Sequence, residues 1–151
     1  MDLRPATWSD RNLLYEWRRQ DEDTAEWWKG VRVTMESHNT WLKPRLNSPL
    51  CEIWIGWDNA PAINHNGDIT KELRPVGMVR IDSNGEIVVN VDVKYRRRGF
   101  GTRLVKEALA RTVHTRVKAS VDSQNTAGVR TLAAAGFDSR PDVEFYICRL
   151  S

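Results

Sequence analysis

The chain has 151 residues, 40% of them hydrophobic and 28% charged, with a formal net charge of +3. That length suits one domain around one core, the composition is that of a soluble globular protein, and so small a charge gives no case for a nucleic-acid partner. No apolar run approaches a membrane span and the N-terminus lacks a signal-peptide core, so a cytoplasmic protein with no membrane partner is expected. Cys51 and Cys148 fall in apparent strands without metal-ligand spacing and read as small buried hydrophobes. His38, His65 and His114 show no pairing suited to a metal and read as surface residues; no metal site is expected. Of the seven tryptophans, five precede residue 42.

Met1 to Ala6 reads as a short strand closed by Pro5. Thr7 or Ser9 caps a helix to about Arg19, with Leu13, Leu14 and Trp17 as its buried stripe. Gln20 to Thr24 is polar and acidic and reads as loop. Thr34 to Ser37 leads into a second helix over His38 to Leu46, ended by Asn47-Ser48-Pro49. Leu50 to Trp57 alternates as a strand, with Ile53 and Ile55 opposite Glu52 and Trp54. Asp58 to Arg74, carrying Pro61, Asn64, Asn66 and Gly67, is long for a hairpin connection and reads as a functional flap or a mobile loop.

Val76 to Ile81 reads as a strand, followed by the hairpin turn Asp82-Ser83-Asn84-Gly85. Ile87 to Val93 is rich in Val and Ile and reads as the next strand. Phe100, Leu104, Val105, Ala108 and Leu109 share one face of a helix. Arg116 to Val121 is a strand. Asn125 to Ala135 is a helix whose Val129, Leu132 and Ala133 share a face, ended by Gly136 as its left-handed cap. Phe137 and Val143 to Leu150 supply the last strands. The pattern is one α/β (α+β) domain with a mixed sheet.

Between strand and helix lies Arg96-Arg97-Arg98-Gly99-Phe100-Gly101. The first amides of a helix have no intrahelical partner and the macrodipole adds positive charge, so the turn is a ready anion site. Glycine lets a phosphate come close to the backbone. The pattern is not a Rossmann fingerprint, lacking the third glycine, and not a P-loop, lacking Gly-Lys-Ser/Thr. Three arginines without interleaved aromatics give no nucleic-acid patch.

The stretch Arg96-x-x-Gly99-x-Gly101 resembles the Q/R-x-x-G-x-G/A turn of the GCN5-related N-acetyltransferases (GNAT). EIVVNVDVKYRRRGFGTRLVKEAL resembles that family's fourth strand and third helix, and VDSQNTAGVRTLAAAGF the strand, Asn-initiated helix and Gly-Phe ending that follow. LRPATWSDRNLLYEWRR resembles the start of the ribosomal-protein and amino-sugar branch. The resemblance implies a single acetyltransferase domain over residues 1–151, with a mixed, mostly antiparallel sheet of about six to seven strands and about four helices.

It also implies that acetyl-CoA is the co-substrate, its pyrophosphate held by Arg96, Arg97, Arg98, Gly99, Phe100, Gly101 and Thr102. Val91, Asp92 and Val93 would lie along its pantetheine arm and offer main-chain groups, the Val side chains being core. Asn125 would contact pantetheine, or cap the last helix, or do both.

An acceptor amine with a pKa of about 10.4 arrives as ammonium, so a group must take its proton. Glu86, at the head of the strand where relatives carry a glutamate base, is the candidate, on one strand face with Asn90 and Asp92. Its plain alternative is an exposed residue after the Asn-Gly turn, and Asp82 is a weaker candidate. The family's helix tyrosine is replaced by Leu132, so the leaving thiolate is protonated by Tyr146, by water or not at all. A strand N–H near Val91 would serve as oxyanion donor. An acyl-cysteine route has no cue for a lowered thiol pKa.

The acceptor region is aromatic and charged: Arg18, Trp27 and Trp28, with Glu22 and Asp23 between them. At least one of Trp27 and Trp28 is a candidate for the acceptor wall, while Trp17 and Trp41 read as core anchors. WRRQDEDTAEWW resembles a stretch of some nucleotide-amino-sugar acetyltransferases. A small amine or amino sugar is the expected acceptor. A protein N-terminus or lysine, and a non-catalytic acyl-CoA-binding module, are the alternatives. A monomer or homodimer is expected.

Overall fold

A long hairpin carries the fold in this computed structural model. It describes residues 1–24, 32–121, 125–139 and 144–148, with 22–24, 139 and 144–148 as backbone only. Strands β2 (Glu52–Ile63) and β3 (Ile69–Ile81) pair antiparallel from Glu52↔Ile81 to Ile63↔Ile69, with an irregularity at Gly56/Trp57. The flap or loop expected at Asp58 to Arg74 is therefore the outer half of two strands. A backbone ladder needs no apolar side chains, and here Ala60, Ala62 and Val76 give it a small buried face. The Asn64 side-chain oxygen accepts from the amides of Asn66 (3.0 Å) and Asp68 (2.9 Å), closing the tip.

Strand β1 (Asp2–Pro5) pairs with β2, and β4 (Ile87–Val91) with β3, giving the order β1-β2-β3-β4, all antiparallel. Strands β5 (Arg116–Ser120), β6 (Asp138–Ser139) and β7 (Glu144–Cys148) form a second sheet in the order β5-β7-β6. The two meet at a parallel bridge, Glu86↔Lys118, where the Lys118 amide donates to the Gly85 carbonyl at 3.0 Å. The described residues thus hold seven strands and four α-helices, in the mixed, mostly antiparallel class expected.

Helices α1 (Arg11–Thr24) and α2 (Met35–Leu46) cover one face, where Leu14, Trp17 and Leu42 pack on Ile53, Ile55 and Met78. Helices α3 (Phe100–Arg111) and α4 (Thr126–Ala134) cover the other, with Leu104, Val105, Ala108, Leu109 and Leu132 against Trp54, Val79, Ile81 and Ile87. Both faces of β2 are therefore buried. Gly56 and Gly77 are register partners beneath Leu104. A Cβ on Gly77 would meet the Asn90 carbonyl oxygen at 2.5 Å, so the glycine is what lets α3, β3 and β4 approach.

Several local expectations change. Helix α1 does not stop near Arg19 but runs through the expected loop to Thr24, with Gln20 and Asp21 finding partners on the β4 side. Helix α2 begins at Met35, three residues early, where the Ser37 amide donates to the Thr34 hydroxyl at 3.1 Å. His38, expected at the surface, is 2% exposed between the two helices and the sheet. On α4, Ala133 is exposed and Ala135 is buried in its stead. Cys51 is only half-buried, its thiol 3.7 Å from Asp82. Burial, then the Asp82 charge, pushes that thiol's pKa up.

Candidate active site

Strand β4 has one free edge, and its hydrogen-bond parity says which groups lie there. The Asp92 amide donates to the Val76 carbonyl and the Asp82 amide to the Glu86 carbonyl. Even-numbered residues of β4 thus direct backbone groups at β3, and Val89 and Val91 direct theirs the other way. Beyond the Glu86↔Lys118 bridge, no described strand pairs with that edge. The Val91 carbonyl accepts from Arg96 Nε at 3.0 Å, which leaves the Val91 N–H and both Val89 groups facing the gap.

Strand β4 ends at Val91, two residues before the expected Val93. Asp92 turns inward and caps a single 3-10 turn over Val93–Tyr95, accepting from the Lys94 amide (3.0 Å) and from Trp17 Nε1 (3.0 Å). Its carboxylate is a tie between β4 and α1, with 6% of the residue exposed. Val93 is 46% exposed, contrary to the expectation that its side chain is core, and its amide donates to Gln20 Oε1 at 3.0 Å. Of the three residues expected along a bound arm, Val91 alone keeps an outward amide.

The glycine turn follows. Arg97 sits at φ 65° and Gly99 at φ 80° as the N-cap of α3. A left-handed arginine costs about 1–2 kcal/mol, a strain typical of functional turns. The amides of Phe100, Gly101 and Thr102 have no intrahelical acceptor, whereas Arg103 already bonds the Gly99 carbonyl at 3.2 Å. Arg97 and Arg98 are exposed beside them. Phe100 is buried edge-to-face against Tyr95 at 6.5 Å and fixes the helix start. Arg96 points elsewhere, joining Val91 to Asp21 on α1 (2.8 Å). A Cβ on Gly101 would stand 3.4 Å from Thr131 and 3.5 Å from Val91, so Gly101 faces the gap between β4 and α4. Asn125 caps α4 through its side-chain oxygen, which accepts from the Gly128 amide at 3.0 Å.

Glu86 is half-buried at the head of β4, about 16 Å by strand rise from Val91. Lys118 pairs with both Glu86 and Tyr146, so those three residues form one row across β4, β5 and β7. The Tyr146 side chain, and all of Trp27 and Trp28, lie outside the described residues.

On the α1/α2 side the structure adds Asp21, a residue that sequence reading missed. Asp21 pairs with Arg96 and accepts from the Asn90 amide on β4, oriented with its nitrogen toward the carboxylate. Burial raises the Asp21 pKa above 3.8, and the Arg96 charge and hydrogen bond offset part of that rise. The cue was four residues from Trp17 on one helix face, legible only once the helix is carried past Arg19. Arg18, His38, Trp41, Arg80 and Asn90 line a partly enclosed cavity of about 20 Å³. The His38 ring has the Arg11 backbone carbonyl as its polar partner, at a geometry short of a full hydrogen bond. Burial and then the Arg18 charge lower its pKa from 6.5, with the Arg11 carbonyl acting the other way. A larger hollow of about 200 Å³ touches no residue of β4 or the turn. Among the described residues there is no cluster able to hold a metal and no helix long and apolar enough to cross a membrane.

Residues 1–138 match the family model described as an acetyltransferase (GNAT) domain. No curated protein matches the chain. Among solved structures, spermidine N-acetyltransferase from Vibrio cholerae in complex with CoA and spermine is similar at TM-score 0.74 and 11% identity, covering 98% of this chain and 95% of that one. The putative acetyltransferase yncA from Salmonella typhimurium with acetyl-CoA is similar at 0.69 and 16%, covering 100% and 95%. Aminoglycoside acetyltransferase AAC(6')-Ib with coenzyme A and kanamycin is similar at 0.66 and 21%, covering 97% and 94%.

Proposed function

The chain belongs to the acetyltransferase (GNAT) family, and from that premise we propose that it transfers an acetyl group directly from acetyl-CoA to the primary amine of a small molecule. The observation that carries this reading is the free edge of β4 running into the glycine turn. An edge with outward amide and carbonyl groups accepts an extended, amide-bearing arm as an added strand. The helix amides at its end suit a diphosphate. The complexes of two similar structures with spermine and kanamycin support a small-molecule acceptor.

Acetyl-CoA supplies the acyl group as a thioester; the chain's own residues do the rest. The amides from Arg98 to Thr102, with Arg97 and Arg98, hold the diphosphate through charge-assisted bonds. The Val89 groups and the Val91 N–H hold the arm, and the Val91 N–H also suits an oxyanion. The Asn125 amide nitrogen, unused in the capping bond, is assigned to the arm. Arg96 and Asp92 set the position of β4 and α1.

We assign the ammonium's proton to Asp21, the carboxylate beside Asn90 on the open half of β4. Burial makes it a stronger base than an ordinary aspartate. A second reading passes the proton through water to Glu86, which shares Asn90's strand face about 13 Å back. Tyr146 is the candidate donor to the departing sulfur.

Thiol release from acetyl-CoA over a panel of small amines and N-terminal peptides tests the function. Release with small amines and not with peptides is expected. Release only with peptides gives the protein-acetyltransferase reading, and cofactor binding without any release gives a binding module. Asp21→Asn and Glu86→Gln separate the two bases by which one loses the acid limb of the pH–rate profile.

A further inference from the structure

The outer half of the β2–β3 hairpin stands beyond the sheet. Strand β1 pairs with β2 as far as Trp57 and β4 with β3 as far as Gly77. Among the described residues, 58–63 and 69–75 therefore pair with each other and with no further strand. The Asn64 amide donates to the Asp68 carbonyl at 2.9 Å, which sets the parity. Even-numbered residues bond across the ribbon, and odd-numbered ones direct their backbone groups outward. The two edges differ. On β2, Pro61 holds an outward position and has no N–H to offer. On β3, the exposed residues Ile69, Lys71 and Leu73 each present a donor and an acceptor, up to Pro75. Odd-numbered side chains also share one face, where Ile63, Ile69 and Leu73 are 75%, 79% and 50% exposed. On the opposite face Ala60 is packed with Tyr95 and Phe100. A two-stranded ribbon with a bare apolar face is marginal in water, and added strands are what stabilise it.

We infer that the β3 edge pairs with the same edge of a second copy, making a four-stranded sheet in the order β2-β3-β3-β2 about a two-fold axis at Lys71. The inference is independent of the acyl-transfer reading. Antiparallel pairing about Lys71 sets outward groups against outward groups and forms about six backbone hydrogen bonds. The side chains match as well. Ile69 faces Leu73 of the second copy, and the two-fold axis repeats this apolar pair on the exposed face. On the other face Arg74 meets Asp68 of the second copy, again twice, and Glu72 meets Thr70. Lys71 against its own copy is the one like-charge pair, and its long stem carries the ammonium out to water. Moving the axis one residue either way breaks both the apolar and the ionic pairs, so the register is specified.

Sedimentation equilibrium of the full chain from about 1 to 300 μM tests this. The edge is about 20 Å long, at the small end for a specific interface, and a dissociation constant of about 10 μM is expected. Lys71→Pro removes the outward N–H on the axis and no bond of the ribbon itself. It is expected to give a monomer whose urea midpoint stays near the parent's. Arg74→Asp and Asp68→Arg each set like charges together twice and are expected to weaken self-association about tenfold. Mixed, these two variants carry opposite charges at both places, and a heterodimer of parent-like affinity is expected. Should either kind of variant fail to fold, the other decides. A parent that stays monomeric throughout overturns the inference, whether the edge is bare or takes a strand of another protein. A dimer left intact by Lys71→Pro lies elsewhere on the surface and also overturns it. So does association lost in both folded charge variants and not recovered on mixing.

Discussion

Replacing Gly101 by Glu puts a charge into the gap between β4 and α4 without crowding the empty protein. The first added carbon would lie 3.4 Å from Thr131 and 3.5 Å from Val91, ordinary contact, so the helix is left intact. Glycine inside a helix costs about 0.8–1 kcal/mol relative to alanine. Gly101→Ala should therefore raise stability by up to that amount, with acetyl-CoA affinity within about threefold of the parent. The Glu side chain continues into the gap and brings a carboxylate near the proposed diphosphate. At about 5 Å and an effective dielectric of about 20, each pair of unit charges repels by about 3 kcal/mol, more than a hundredfold in Kd. Arg97 and Arg98 nearby reduce this, so a loss of about 30- to 300-fold is expected. Urea unfolding gives the stability and calorimetry the affinity, each at low and moderate salt. A Glu variant that folds and keeps the parent's affinity would refute the assignment of this turn to the diphosphate.

Three further outcomes follow from side chains placed by the fold. Asp21→Asn should lower kcat/KM by about 10²–10⁴-fold, the range for a general base. Because burial raises the Asp21 pKa, parent activity should fall as pH drops through that raised value, and the variant's profile should lack this limb; an unchanged limb transfers the role to Glu86. His38 has a lowered pKa, so the folded state binds fewer protons than the unfolded chain. Its contribution to stability is present above about pH 6.5 and lost as pH falls below it toward the lowered folded value. Urea titrations at several pH values should show that loss in the parent and a flatter curve in His38→Phe. Gly77→Ala should cost about 1–3 kcal/mol, since its Cβ would meet the Asn90 oxygen at 2.5 Å and force β4 to shift; unchanged unfolding midpoints would mean the strands give freely.

The features legible in the sequence are those that short segments specify. The Asn-Gly hairpin turn, the amphipathic face from Phe100 to Leu109, and the Gly136 cap each depend on neighbours within a few residues, and each is present. The anion turn is legible for the same reason, because Gly99 at positive φ and the free amides of α3 are local consequences of strand-glycine-helix order. Asn125 is the cap that its type and position imply. The sequence extends β4 through Asp92 and Val93 because strand periodicity continues past Val91 on paper. In space, the tie from Asp92 to Trp17 ends the strand.

By itself the sequence determined the class of fold, the order of its elements and the glycine turn with its free helix amides, all through backbone preferences and hydrophobic period. Only tertiary structure decided what stands around that turn. Gln20 and Asp21 read as loop because their partners are distant in the chain, and Asp58 to Arg74 because its strands are held by a backbone ladder rather than by an apolar period. Gln20 meets Val93, Asp21 meets Arg96, and the polar strand residues meet each other across a ladder. His38 is buried by helices and strands far apart in sequence, and Arg18 and Arg80 reach one tryptophan from two elements. Local physics places the glycine turn; long-range packing sets the side chains that stand around it.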